Sequence, residues 1–284
     1  MDVDLAIAGL GLKPTQLDEA LSRPVAFDFV EVHAENAMVP GGRLRRGFER
    51  MRERWPLSVH GVGLSIGGED ALDAAHLQRL ADVVRWLQPA WVSEHLAWSS
   101  HGGVFFADLL PLAYDEAALH RVCEHVDRLQ TLLGRRVLIE NPSTYFCWHA
   151  STYDEAGFLC ELVRRSGCAL LVDVNNAHVS AVNNGTCAAD LLARLPVAAV
   201  AEIHLAGHTG EHDADGAALL VDTHGAAVAA EVWHLYDTLL QRIGPRPTLI
   251  ERDRDVPPLA ELERETARAR TLLHAVQRQQ RQAA

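Results

Sequence analysis

Residues 136–143 read RVLIENPS and residues 169–176 read ALLVDVNN. Each is a short apolar, β-rich run that stops on a carboxylate and gives way to polar turn residues. Working outward, the same unit recurs as DLAIAGLGL (4–12), FDFVEVH (27–33), PLSVHGVGL (56–64), WVSEHLAWS (91–99), VAEIHLAGH (200–208) and TLIERD (248–253), which makes eight. Between the units lie stretches with apolar residues at three- and four-residue spacing, clearest at 71–87, 116–133, 153–165, 226–243 and 259–276. Thr15 before QLDEAL, and Thr152 with Glu155 three residues on, read as helix caps, the second as a capping box. Strands alternating with amphipathic helices mean βα units and a parallel sheet. Eight of each give an α/β fold, a TIM-type (βα)8 barrel, for which about 250 residues are typical. The competing architecture is an open doubly wound sheet. No linker or low-complexity block divides residues 1–284, so one barrel domain is expected, with a polar tail from about 277 to 284 that frays.

Bulk properties narrow the function. With 48% hydrophobic residues the 284-residue chain can bury one large core, and its net charge is −12. Apart from 43–46 and the tail no basic run occurs, and a field of that sign repels a phosphate backbone. A nucleic-acid partner is therefore not expected. No apolar run approaches a membrane span, and the N-terminus lacks the charged and apolar regions of a signal peptide. The five cysteines (Cys123, Cys147, Cys160, Cys168, Cys187) have no CxxC spacing and read as reduced thiols, which with the missing signal implies the cytoplasm.

What distinguishes the chain is where its metal-capable side chains fall. His60, His95, Glu140, Asp173, His204 and Glu251 end successive apolar runs, and Asp222 with His224 lies in the DTHG loop between the last two. The carboxyl ends of barrel strands converge on one mouth, where active sites lie. Along each strand Leu138 and Glu140, Leu171 and Asp173, Leu249 and Glu251, and Glu202 and His204 share a face, consistent with an inward set. Carboxylates bridge hard cations and neutral imidazole suits iron, zinc and copper. No cysteine ends a strand, against a thiolate zinc site or an iron–sulfur cluster. Crowded carboxylates would have to hold protons unless cations neutralise them. The reading is a polynuclear metal site, with Glu140, His95 and Asp173 as its catalytic core and His178 as a further candidate ligand. His33, His101, His208 and Glu94 read as supporting or substrate-facing groups, and Asn141, Asn175 and Asn176 as residues that orient ligands.

Read together, GLGLKP, EVHAEN, HGVGLSIG, SEHLAWSSHGG, IENPSTY, LLVDVNN, EIHLAGH, DTHG, VWHLY and IERDRD resemble the multinuclear non-heme iron-dependent oxidative enzyme family, from about Ala8 to the last helix. The SSHGG and DVNN wording resembles most the bufferin-type branch. The resemblance implies a xylose-isomerase-like barrel with metals at the strand ends, and maturation of ribosomally made peptides. It implies two to three iron ions of mixed Fe2+/Fe3+ valence, dioxygen as co-substrate, and a cysteine-containing precursor peptide oxidised at cysteine, to products such as thiooxazole or oxazolone with thioamide. A separate partner protein would present the peptide. Motif by motif, one iron falls to His60, His95 and Glu140; a second, bridged by Glu140, to Asp173, His204 and Glu251; a third to His178, Asp222 and His224. The branch often has Tyr in place of His178 and His in place of Asn184, so the departure falls on the third ion. Competing classes are a metal-dependent hydrolase or endonuclease, a sugar isomerase of the same barrel type, and a non-catalytic metal- or peptide-binding protein.

Overall fold

The computed structural model describes residues 5–212 and 216–283. The chain opens with β1 (Ala8–Gly11), α1 (Leu17–Ser22), β2 (Val30–His33), α2 (Ala34–Ala37), α3 (Gly42–Arg54), β3 (Leu57–Gly61), α4 (Ala74–Leu87) and β4 (Trp91–His95). It continues through β5 (Trp98–His101), β6 (Val104–Leu110), α5 (Glu116–Leu133), β7 (Leu138–Glu140), α6 (Glu155–Ser166), β8 (Ala169–Asp173), α7 (Val174–Asn184) and α8 (Ala188–Arg194). It ends with β9 (Val200–Leu205), β10 (Thr209–His212), β11 (Ala218–Val221), α9 (Ala230–Ile243), β12 (Thr248–Ile250) and α10 (Leu259–Ala283).

Eight strands close into a parallel barrel in the order β1-β12-β9-β8-β7-β4-β3-β2, one from each of the eight runs named above. Asp4, which begins the first run, lies outside the described residues. The open doubly wound sheet is thereby set aside, because β1 pairs with both β2 and β12. The two remaining pairs, β5–β6 and β10–β11, are antiparallel hairpins that the sequence reading does not anticipate. WVSEHLAWS, read as one strand, is two: β4 ends at His95 and the chain turns before β5. Residues 277–283, expected to fray, continue α10 as helix.

Alternation decides what fills the barrel. Outward residues such as Leu10, Val32, Val59, Val92, Ile139, Val172, Ile203 and Ile250 belong to the apolar layer beneath the helices. Inward, Leu138, Ala169 and Leu171, with Trp91 against them, plug the lower lumen. Phe29 packs on Trp91 with ring centroids 5.3 Å apart. Its ring occupies space that β1 vacates, since a Cβ at Gly9 would lie 2.6 Å from it. Above this plug the inward residues turn polar.

Two helix starts differ from expectation. Thr15 falls inside a 3-10 turn, Pro14–Gln16, and α1 begins from Gln16 without a side-chain cap. At α6 the cap is Asp154, whose carboxylate accepts from the Gly157 N–H at 2.8 Å, not Thr152. Glu155 is half-buried there with its Oε1 enclosed and unpartnered among the described residues, and burial and the neighbouring Asp154 charge push its carboxyl up to about 8. The folded state therefore holds a proton that the unfolded chain releases near its ordinary pKa, so stability falls as pH rises from about 4.5 to 8 and is level above. Glu155→Gln is expected to remove that fall, so thermal unfolding at pH 5 and pH 8 should differ less in the variant than in the parent.

Candidate metal centre

Most barrel strands end, where the barrel opens, at or just before a metal-capable side chain, and the register aligns these residues. His60 lies opposite Ser93, His95 opposite Glu140, and Asp173 opposite His204 across paired strands. His60 Nε2 is 3.1 Å and His95 Nε2 3.2 Å from Glu140 Oε2, and the two ring nitrogens are 3.3 Å apart. Three electron-pair donors at such spacing, all buried, form an edge-sharing face suited to one cation with bonds of about 2.1 Å. The far sides of the rings are fixed: His60 Nδ1 lies 2.7 Å from Ser93 Oγ, and His95 Nδ1 donates to the Gly61 carbonyl at 3.1 Å. Both rings thus present Nε2 to the shared point.

Glu140, Asp173 and His204 form a second ligand-capable group, and Asp173, His224 and Glu251 a third, with their ligand atoms within 4.8 Å of one another in each. Glu140 belongs to both the first and the second group. Asp173 divides its carboxylate: Oδ1 caps α7 by accepting from the Asn176 N–H at 2.7 Å, while Oδ2 is buried without a hydrogen-bond partner. His224 Nδ1 lies 3.5 Å from Glu251 Oε2, and its Nε2 2.9 Å from Asp222 Oδ1. His33 Nε2 reaches Glu251 Oε1 at 3.3 Å, and Lys13 pairs with Asp253 beside it.

Asparagines frame the set. Asn141 donates from Nδ2 to the Asp173 carbonyl and accepts from the Asp173 N–H, both at 2.9 Å, joining the ends of β7 and β8. Asn176 Nδ2 donates to Glu140 Oε1 at 3.3 Å, and Asn175 Nδ2 to Asp222 Oδ1 at 2.8 Å. Asn175 Oδ1 lies 2.7 Å from His208 Nδ1. His178 stands apart. Its ring packs on His208 with centroids 5.1 Å apart, and it joins none of the ligand-capable groups among the described residues. Asn184 also faces elsewhere, donating to Thr144 and to the Ser180 carbonyl. Glu94 turns out of the lumen against Gly61, and His101 is exposed on the β5–β6 hairpin. His125, on α5 and outside the set, is buried and bonded to the Ile66 carbonyl at 2.8 Å.

The electrostatics are those of donors gathered for positive charge. Burial opposes the ionised form of Glu140, but His95 and His60 hold its carboxyl down to about 2. Burial and the Glu140 charge together raise Asp173 well above the carboxylate range. Burial would discharge His60, yet Glu31 and Glu140 push it up to about 10. Protons must therefore reside among these groups when no cation neutralises them. Divalent ions fit: Glu140 Oε2, Asp173 Oδ2 and both nitrogens of His204 and His224 are buried without hydrogen-bond partners.

Two carboxylates enter that the sequence reading does not single out as ligands. Glu31 and Glu202 are 1% and 0% exposed and form a ligand-capable group with His204 one layer beneath the mouth. The signal was present, since EVH (31–33) and EIH (202–204) repeat the same acid two residues before a strand-end histidine.

The rim is aromatic. Val104 and Phe105 at the hairpin tip are 56% and 65% exposed. Phe106 packs on Trp98 at 5.8 Å, and Trp98 and Trp148 both donate to the Pro111 carbonyl, at 2.9 and 3.0 Å. Phe146 packs on Trp148 at 5.4 Å, and next to it the Tyr145 hydroxyl accepts from the Asp222 N–H at 3.3 Å. An apolar ridge thus runs from the hairpin to Asp222.

A family model described as "RiPP precursor modification enzyme MbnB/TglH/ChrH" matches residues 7–274. A UPF0276 protein of Bordetella parapertussis is 54% identical over 268 residues, covering 94% of this chain and 93% of the relative. Among solved structures, an L-ribulose 3-epimerase superposes with a TM-score of 0.61 at 13% identity, over 99% of this chain and 98% of that one. Endonuclease IV from Thermus thermophilus superposes with a TM-score of 0.57 at 17% identity, over 95% and 99%. These two likenesses establish the barrel architecture, which other xylose-isomerase-like proteins share.

Proposed function

The chain belongs to the RiPP precursor modification enzyme family, and from that premise we propose that it oxidises cysteine residues of a ribosomally synthesised precursor peptide, using iron held at the barrel mouth and dioxygen as co-substrate. The observation that carries the reading is the buried His/carboxylate set with no cysteine among its ligand-capable groups. Thiolate is then left to come from the substrate. His60, His95 and Glu140 would hold one ion; Glu140, Asp173, His204 and Glu251 a second; His224 with Asp222 is the start of a third, which His178 does not complete in this arrangement. Bound iron would supply the one-electron chemistry and activation of dioxygen.

The protein's own share is positioning. Ser93 and the Gly61 carbonyl fix the two ring faces, Asn141 locks β7 to β8, and the apolar plug keeps water from below. The aromatic ridge offers an extended peptide a surface leading to Asp222, and the edge of β6 that is unpaired among the described residues could take a strand from the peptide or from a partner protein that presents it. The reaction is assigned to the cytoplasm, where precursor cysteines stay reduced.

Protein purified anaerobically is expected to carry two to three iron atoms per chain in mixed valence, read by elemental analysis and Mössbauer spectroscopy. Precursor followed by dioxygen should give a mass change confined to its cysteines, and cysteine-to-serine precursor should give none. Stoichiometric zinc without iron-dependent activity, or equal processing of the serine peptide, would overturn the assignment.

A further inference from the structure

His204 touches carboxylates on both sides. Its Nδ1 lies 3.3 Å from Glu251 Oε2, toward the group that includes Asp173 and His224, and its Nε2 lies 3.2 Å from Glu31 Oε2, toward the lumen below. Ring and both carboxylates are at most 4% exposed. A neutral imidazole carries one hydrogen, so a histidine that gives one nitrogen to a metal must offer the other N–H to an acceptor, which also sets the ring's tautomer and orientation. Glu31 is the carboxylate within reach on the side away from the mouth. A carboxylate buried this deeply is costly unless something positive or hydrogen-bearing faces it. The 3.2 Å approach of His204 Nε2 falls short of hydrogen-bond geometry, and neither oxygen of Glu31 has any hydrogen-bond partner among the described residues.

Surroundings hold Glu31 in place. It lies opposite Ser58 and beside Gly11, whose missing side chain leaves the lumen open at this level. Glu202, from the same strand as His204, accepts from Ser58 at 3.1 Å and closes the layer. A second cation between Glu31, Glu202 and His204 would require the ring to bind metal through both nitrogens, as an imidazolate. A carboxylate accepting an N–H needs no such deprotonation.

We infer that Glu31 is the positioning residue of His204: it accepts the Nε2 hydrogen and so turns Nδ1, as the metal-binding nitrogen, toward Asp173 and Glu251. Glu31 touches neither substrate nor the metal in this assignment. The inference rests on the mouth being a metal centre and is independent of which reaction occurs there.

Zinc alone, which is diamagnetic, provides the first probe. In 15N-histidine-labelled, Zn2+-loaded protein, His204 should show a protonated Nε2 and a metal-shifted Nδ1 by long-range 1H–15N correlation. Anaerobic titration of the apo-protein with Fe2+ provides the second. Glu31→Gln, whose side-chain carbonyl still accepts, should weaken one ion of the set by up to about tenfold, and Glu31→Leu by about ten- to a hundredfold. The remaining ions should bind as in the parent. Circular dichroism establishes that each variant is folded; if Glu31→Leu is not, Glu31→Gln and the tautomer readout carry the test. Identical loading of parent and variants, or Nε2 bound to metal, would overturn the inference while leaving the metal centre standing. An ion lost from both Glu31→Gln and Glu202→Gln with an unprotonated Nε2 would replace it with a cation site. A parent that takes up no metal would overturn both.

Discussion

Glu140→Gln is expected to release most of the bound metal and to lower activity at least about a hundredfold. Glu140 Oε2 is the atom that His60 and His95 both approach, and the same side chain joins Asp173 and His204 in the next group. Loss of an outer hydrogen-bonding partner already weakens metal sites about ten- to a hundredfold, and a neutral amide removes a bridging ligand and its charge together. Asn176 donates to Glu140 Oε1, the apolar plug lies below, and the amide preserves the shape, so the variant should remain folded. His120→Ala is the control: this ring is 73% exposed on α5 beside Glu124 and should affect neither metal nor rate. Elemental analysis of both proteins settles the comparison, and full metal retention in the Glu140 variant would mean that this carboxylate does not bridge.

Chelation should destabilise the protein by a margin visible in any thermal scan. The mouth concentrates Glu140, Asp173 and Glu251 above Glu31 and Glu202, all at most 4% exposed. Each ion held at 100 to 1,000 times its dissociation constant contributes about 2.7–4.1 kcal/mol to the folded state. With roughly 2–4 °C in Tm per kcal/mol for a large domain, removal of two ions should lower Tm by about 10 °C or more. Calorimetry with and without an iron chelator measures this, and an unchanged Tm in protein proven metal-free would show that the carboxylates are satisfied without cations.

The eight barrel strands were legible because a fully enclosed strand can hardly hide: its apolar run and its sharp polar end both mark the chain. The ends of those runs likewise located His60, His95, Glu140, Asp173, His204 and Glu251, since strand direction dictates where an end must lie. The hairpins were passed over. In the first, Gly102-Gly103 joins His101 to its partner Val104 and both glycines have positive φ, a two-residue turn signature embedded in the SSHGG stretch. TGEH and VFFADLL themselves lack clean alternation, so these strands did not stand out. Helix α7 was missed because DVNN reads as a turn, whereas Asp173 caps the helix directly and draws Asn175 and Asn176 into its first turn. His178 is a consequence of that helix: one turn farther on, it is carried to His208 and away from His224. Glu31 escaped notice, and Glu202 was placed on the inward face without being counted as a ligand, because both precede the strand ends; recognising them needed the depth of the lumen as well as its mouth.

The exposed hairpin also governs how the protein behaves in bulk. Val104 and Phe105 stand in water on a strand whose outer edge is unpaired among the described residues, and such an edge attracts another copy at short range. A net charge of −12 opposes that approach, but only over the Debye length, which is about 30 Å at 0.01 M salt and about 8 Å at physiological ionic strength. Colloidal stability is therefore a contest between a fixed sticky tip and an adjustable ionic cushion, and whatever covers the tip in the cell relieves the protein of the need for the cushion.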